Sequence, residues 1–204
     1  VLLAAMVLVD EDGIEALTMR GLGRALGVEA MSLYNHVADK DDLLVGILEL
    51  AVGEIDQPTG GTDWKADLRQ GAISAHDALV RHPWAPGLLV SQLDATGPAR
   101  LRWMDAVLRV IREADFAMLM TDHAFHLLDS YVLGFALQEV SLPRPTGDLA
   151  ELATTFLRGL PADDYPYLVE HIQHHIDSAH YDEGDFEFGL DLILDGLDQL
   201  RDTA

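Results

Sequence analysis

The sequence contains no cysteine. That excludes disulfide scaffolds, cysteine nucleophiles, iron–sulfur clusters and Cys-type zinc sites, and it fits a reducing compartment. Basic residues are scarce as well: 13 Lys and Arg stand against 35 Asp and Glu, a formal net charge of −22. Taken alone, that balance argues against nucleic acid, whose phosphates are met by Lys and Arg. Long apolar runs are missing. Val1–Val9 is the longest, less than half of the roughly 20 residues that span a bilayer. It carries neither a basic leader nor a small-residue cleavage site. A cytoplasmic protein with no membrane contact is therefore expected. The first residue is Val rather than Met, so an N-terminal arm ahead of it is expected too. Alternating β-branched runs are absent, which removes sheet folds. No P-loop, G-x-S-x-G or spaced carboxylate pair is present, so no enzyme is expected.

What remains is 204 residues, 49% apolar and 24% charged, enough for a substantial core in one or two domains. The charge is uneven. Residues 1–52 hold 3 basic and 9 acidic side chains, whereas 148–204 hold 2 and 14. The acid gathers at the C-terminal end, so a surface that meets DNA would lie elsewhere. Apolar residues recur at three-to-four spacing almost throughout, which predicts an all-α protein. Helices are expected over Val1–Asp12, Met19–Leu26, Glu29–His36 and from Asp39 onward. Further ones are expected at Trp64–Arg81, Ala85–Gln92, Pro98–Ala114, Met118–Val140, Leu149–Leu157, Asp164–Ala179 and Phe186–Arg201. Asp56–Thr62, with one Pro and two Gly, reads as a linker between a head, 1–52, and a body, 53–204.

Within the head, Thr18 is a suitable N-cap and Gly27 a suitable helix stop, so Thr18–His36 reads as helix, turn and short second helix. Leu22, Leu26, Val28, Leu33 and Val37 have the spacing of an inner side. Ala30, Met31, Ser32, Tyr34, Asn35 and His36 are left outward. That uncharged, polar and aromatic surface suits base edges and phosphates in a major groove. Arg20 and Lys40 flank it and could clamp phosphates. A helical hairpin with an ordinary solvated surface is the plainer alternative.

The segment GIEALTMRGLGRALGVEAMSLYNHVADKDDLL, residues 13–44, resembles the DNA-binding head of the tetracycline-repressor (TetR) family. Its marks are the Gly-Ile-x-x-Leu-Thr lead-in, the Leu-Gly-Val turn, the S-L-Y-x-H-V stretch and the Asp-Lys that opens the fourth helix. Farther on, DWKADLRQ, HPW, SYVLGFALQE and FEFGLDLILDGL resemble the C-terminal domain of the subgroup nearest the tetracycline repressors. The resemblance implies a three-helix helix-turn-helix head on a helical body that binds an effector and dimerises. It implies DNA contacts at Thr18, Met19, Arg20, Ala30, Met31, Ser32, Tyr34, Asn35, His36 and Lys40. Gly21 and Gly23 stand where the family carries larger side chains, and each costs a helix about 1 kcal/mol against Ala.

For the body, the resemblance implies a two-fold dimer built on a four-helix bundle. Apolar stripes nominate Leu128, Tyr131 and Phe135 on one helix and Phe186, Leu190, Ile193, Leu194 and Leu197 on the last. An effector cavity among the middle helices is also implied. His126 and Asp129, three apart on an apolar helix, share a face, and a buried carboxylate needs a partner or a ligand. A satisfied pair at the dimer interface is the alternative there. Trp84, Trp103, Met104, Val107 and Phe125 are expected as apolar wall. The ligands of the family's magnesium–tetracycline site fall at Gly71, Ala75, Leu89 and Gln138, none of which can do that work. No metal or cofactor is expected, and a small, largely apolar effector takes the place of tetracycline, with Ala75 and Leu89 in its wall.

Two other features are weaker. Gly21-x-Gly23-x-x-x-Gly27 has the wrong spacing and follows no strand, so it is no dinucleotide fingerprint. His171, His174 and His175 have ligand spacing but lack an H-E-x-x-H frame. The reading is thus a regulator of an operator duplex, acting as a homodimer released by a small effector. A helical scaffold that has lost DNA binding, favoured by the acidic balance, is the alternative.

Overall fold

Thr18, Asp39 and Asp63 each start a helix with a side chain that satisfies an orphaned backbone N–H. The computed structural model describes residues 1–91, 97–141, 149–177 and 185–201, and these contain helices and no strand. Leu2–Asp12 (α1) stops at Gly13, whose φ is 81°. After a 3-10 turn at Ile14–Ala16, Thr18 caps Met19–Leu26 (α2) by accepting from the Gly21 N–H at 3.0 Å. Gly27, left-handed at φ 68°, ends α2, and Ala30–Leu33 (α3) follows. Asp39 caps Lys40–Gly53 (α4): Asp42 N–H donates to Asp39 Oδ1, and Ala38 N–H to Asp42 Oδ2, both at 2.9 Å. The body consists of Trp64–Arg81 (α5), Ala85–Ser91 (α6), Pro98–Glu113 (α7), Met118–Ser141 (α8), Leu149–Gly159 (α9), Pro166–Asp177 (α10) and Asp185–Arg201 (α11).

The all-α expectation holds, with one instructive difference. Regular helix in α3 covers four residues rather than the eight expected at Glu29–His36. Asn35 and His36 N–H groups bond three residues back, to Ser32 and Leu33 carbonyls, so Tyr34–His36 continue as a tighter turn. The ends expected at Gln92 and Ala179 lie outside the described residues.

The chain divides into two compact units, Val1–Ser141 with Leu190–Ala204, and Leu142–Gly189. In the first, α4 packs on α1 and also on α5, α6 and α7, while α5 and α7 pack on α8. Leu17, Leu22, Leu43, Ile47, Ile111, Phe116, Leu190 and Leu194 are among its fully enclosed side chains. In the second, α9 packs against α10. The stretch 56–62 is pinned rather than loose. Asp67 accepts from Thr59 and Gly60 N–H at 3.2 and 2.7 Å, and Arg109 donates to the Thr59 and Pro58 carbonyls at 2.9 and 3.1 Å.

Gly23 shows why a helix-weakening residue sits inside α2. A Cβ there would lie 2.9 Å from the Val28 carbonyl oxygen and 3.3 Å from the Ala30 nitrogen. The α2–α3 turn is closed by backbone meeting backbone. Val28 gives its carbonyl to that contact, and its N–H to the Gly23 carbonyl at 2.9 Å. Its side chain, like that of Leu26, is left exposed instead of joining the expected inner set. Gly23→Ala is therefore expected to destabilise the head despite a propensity gain of about 1 kcal/mol. A thermal melt that rises on this substitution would contradict the packing.

Helix α11 is tied to α5 by charge. Arg69 grips Asp191 through Nε–Oδ1 at 2.7 Å and Nη2–Oδ2 at 3.3 Å, and Lys65 pairs with Asp195. The Arg69 hydrogen bonds hold the Asp191 carboxyl below its ordinary 3.8, and the Asp195 hydrogen bond holds Lys65 above its ordinary 10.5. The depressed carboxyl contributes stability above its ordinary pKa and loses it as pH falls through the folded value. The raised amine contributes below its ordinary pKa and loses it as pH rises through the folded value. These pairs are partly exposed, so the effect is small and screened by salt. The melting difference between wild type and Asp191→Asn is expected at neutral pH and to shrink as pH falls below 3.8 through the folded value.

Candidate nucleic-acid interface and effector cavity

The head presents α3 and its following turn to solvent. Met31 is 76% exposed and Tyr34 48%, and Asn35 and His36 are exposed beside them. Leu33 and Val37 are buried and anchor the element from beneath. Ser32, half-buried, donates its hydroxyl to the Glu29 carbonyl at 2.5 Å, and Ala30 is also half-buried. At the start of α2, Thr18 and Arg20 are exposed and Met19 is half-buried. Lys40 opens α4 and is half-buried. Ten side chains expected at DNA thus keep at least part of their surface open. The face they form carries two cations, the Tyr34 and His36 rings and otherwise small, amide or thioether groups.

Inside the body, α5, α6, α7 and α8 enclose a cavity of about 30 Å³. Ala75, Leu89, Trp103, Val107, Phe125 and Asp129, all expected at an effector, line it. Leu68, Leu79 and Val132 add aliphatic wall. One polar feature interrupts this lining. Arg100, in the first turn of α7, forms an ion pair through Nη2 with Asp129 Oδ1 of α8. The two side chains are 19% and 24% exposed.

Two junctions join the head to these helices. At one, Asp10 of α1 accepts from Trp84 Nε1 at 2.6 Å and meets His82 Nδ1 at 2.9 Å. His82 is 3% exposed, and its Nε2 lies 3.3 Å from Glu54 Oε2 at the end of α4 without hydrogen-bond geometry. Arg81 also reaches Glu54. At the other junction, Glu49 in the middle of α4 accepts from the Ala99 N–H at 2.5 Å, capping the N-terminus of α7. A Cβ at Gly97 would collide with that carboxylate. The cap is one residue from Arg100, so the cavity's ion pair and the head's last helix share one turn of α7.

Family models match nearly the whole chain: "Bacterial regulatory proteins, tetR family" over residues 1–47 and "Tetracyclin repressor-like, C-terminal domain" over residues 57–201. The chain belongs to the TetR family. It is a ligand-responsive, DNA-binding transcription regulator and not an enzyme. An HTH-type transcriptional regulator of Saccharopolyspora erythraea is 34% identical over 132 residues, 64% of this chain and 56% of that one. The HTH-type transcriptional repressor DrrR1 of Streptomyces coeruleorubidus is 31% identical, covering 97% of this chain and 75% of its own. Among solved structures, a possible TetR family transcriptional regulator from Streptomyces coelicolor A3(2) superposes with a TM-score of 0.79 at 31% identity, over 98% and 97% of the two chains.

Set in this TetR frame, several expected residues fall elsewhere. His126 does not face the cavity: its side chain is 69% exposed and lies 3.4 Å from Asp122 on the outer side of α8. It is parted from Asp129, which turns inward to Arg100. Trp84 serves the junction with Asp10 rather than the cavity wall, and Met104 is half-buried outside the lining. The dimer set also divides. Leu128 lines the cavity, and Phe186, Leu190, Leu194 and Leu197 are buried within one protomer. The reason is the α11 tether, since ion pairs to α5 turn the Leu190–Leu194–Leu197 stripe inward. Tyr131, Phe135 and Ile193 stay half-buried. Exposed apolar side chains on the same two helices are Leu127, Leu192 and Leu200 at 47%, 58% and 48%, together with Met118, Leu119 and Phe188. Among the described residues no cluster of three metal-binding side chains forms, and His171 and His174 are exposed on α10. His175 lies outside the residues whose side chains are described.

Arg100, Glu49, Asp10 and His82 escaped the sequence reading. Their partners are 29 to 74 residues away, beyond any helical spacing. Glu49 alone left a visible signal, a single acid in the apolar part of α4; Arg100 is one of four Arg on α7 and Asp10 opens a run of three acids, so neither stands out.

Proposed function

We propose that the chain represses transcription from a near-palindromic operator, which it holds as a two-fold homodimer and leaves when a small, largely apolar effector occupies the body. Residues 1–52 carry the DNA contacts and 53–204 the effector and dimer functions. Thr18, Met19, Arg20, Ala30, Met31, Ser32, Tyr34, Asn35, His36 and Lys40 meet the duplex. Tyr131, Phe135 and Ile193, with Leu127, Leu192 and Leu200, meet the second copy. The protein works in the cytoplasm, where operators are.

The observation that carries this reading is the course of α4. Its first residue, Lys40, belongs to the DNA face, and its Glu49 caps α7 beside the cavity. The cavity, at about 30 Å³, is far below the roughly 300–1,000 Å³ that drug-sized ligands occupy. Such a ligand must move wall side chains or helices to enter. It therefore binds preferentially to a different arrangement of the body, which is the differential affinity a population shift requires. The apolar wall at Ala75 and Leu89 supports an effector other than magnesium–tetracycline.

Gel shifts on DNA flanking the protein's own gene test the proposal, since a scaffold that has lost DNA binding gives none. With Arg20, Arg24 and Lys40 as the cations of residues 1–52, a shallow salt dependence is expected. The log–log slope should be about −3 per protomer, at roughly 0.9 per phosphate. A much steeper slope would assign most phosphate contacts to residues outside this set.

A further inference from the structure

We propose that the Arg100–Asp129 pair is a charge filter: the cavity accepts neutral amphipathic molecules bearing a hydrogen-bonding group, and rejects anions and cations of the same shape. This deepens the effector reading above and rests on it.

The argument is one of charge balance. Arg100 and Asp129 are the charged members of the cavity lining, and the remaining wall is apolar. They are joined to each other and largely withdrawn from water. The guanidinium is permanently charged, so the pair sums to zero. A carboxylate entering this space finds a cation already neutralised and an anion close by. An ammonium meets the mirror situation. Either ligand leaves one net charge without compensation in apolar surroundings, which is strongly unfavourable. Breaking the pair to serve the ligand only moves the orphaned charge onto Arg100 or Asp129. A neutral hydroxyl or carbonyl escapes this conflict. Arg100 has five N–H donors and the carboxylate about four acceptor positions. The pair can stay intact while Arg100 donates to the ligand or Asp129 accepts from it. The rings of Trp103 and Phe125 provide a surface for the apolar part.

Selectivity set by two side chains can be rewritten by changing one of them. Asp129→Asn leaves a net positive cavity with little change of volume, and Arg100→Gln, two heavy atoms shorter, leaves a net negative and roomier one.

The test uses three naphthalenes of equal shape, 2-naphthalenemethanol, 2-naphthoate and 2-naphthylmethylammonium, titrated into the full chain near neutral pH by calorimetry. Wild type is expected to bind the alcohol at least about tenfold more tightly than either ion. Asp129→Asn is expected to gain about tenfold for naphthoate, and Arg100→Gln about tenfold for the ammonium. Ala75→Val, whose two added methyl groups fill the cavity, is expected to weaken binding at least about tenfold while circular dichroism shows a folded chain. Either single variant suffices if the other does not fold. If all three probes bind wild type equally and the variants keep that order, the filter is wrong and the cavity reading stands. If no probe binds any form, or if Ala75→Val binds as wild type does, the cavity reading fails and the filter with it.

Discussion

Tyr34→Ala is expected to weaken operator binding far more than any other single change on the head, without altering the fold or the oligomeric state. Tyr34 is half exposed on the turn that extends α3, above the buried anchors Leu33 and Val37. Truncation removes a ring from the surface that faces the duplex and leaves those anchors in place. A specific contact to a base edge is worth about 1–3 kcal/mol. A dimer carries the substitution twice, so the total loss is roughly 2–6 kcal/mol if the two sites act independently. Lys40→Ala makes a contrasting partner. It should weaken binding to all sequences alike and lower the salt slope by about 1 per protomer, as loss of a phosphate contact does. A cation at the first position of α4 opposes the helix dipole, so its removal does not cost helix stability. Fluorescence anisotropy on operator duplexes, with sedimentation as the control for the dimer, separates the two behaviours. Unchanged affinity in both variants would mean that α3 is not the reading element.

The second large effect belongs to the junction. Asp10→Ala is expected to destabilise the chain by roughly 2–4 kcal/mol, because it strips a partner from two buried groups at once. Trp84 Nε1 and His82 both depend on that carboxylate, and His82 already has a second ring nitrogen without a hydrogen bond. For a chain of this size the melting temperature should fall by roughly 4–16 °C. Asp10→Asn retains one acceptor oxygen and is expected to lose less. Because Asp10 lies on α1 while His82 and Trp84 follow α5, the loss should also loosen the head against the body. Operator affinity should therefore drop in Asp10→Ala although no DNA-facing residue has changed. A variant that melts like wild type would show that this clamp carries little.

What the sequence made legible follows from the range of the interactions. Helix boundaries depend on residues three or four apart, such as Thr18 with Gly21 and Asp39 with Asp42, and those could be read directly. The outward residues of α3 followed from the same spacing. The length of α3 did not, because the bonds at Asn35 and His36 tighten to three residues back, a choice that the side chains alone do not reveal. Gly23 looked like a defect until the backbone of Val28 and Ala30 was seen against it. On α11 and α8, periodicity correctly found apolar stripes but could not say which stripe faces inward. Ion pairs from Lys65 and Arg69, more than a hundred residues away, decide that. For His126 and Asp129 spacing implied one shared face, but Asp122 and Arg100 draw them apart, leaving Asp129 in the cavity lining and His126 exposed.

The central claim is that α3 reads the edges of a duplex and does so in pairs. Selection of the purified full chain on a pool of random duplexes tests it most directly. Enrichment of a near-palindromic site, with half-site centres about one helical turn or a multiple of it apart, and loss of that enrichment in Tyr34→Ala, is the predicted result. A pool that emerges with no sequence preference would contradict the account.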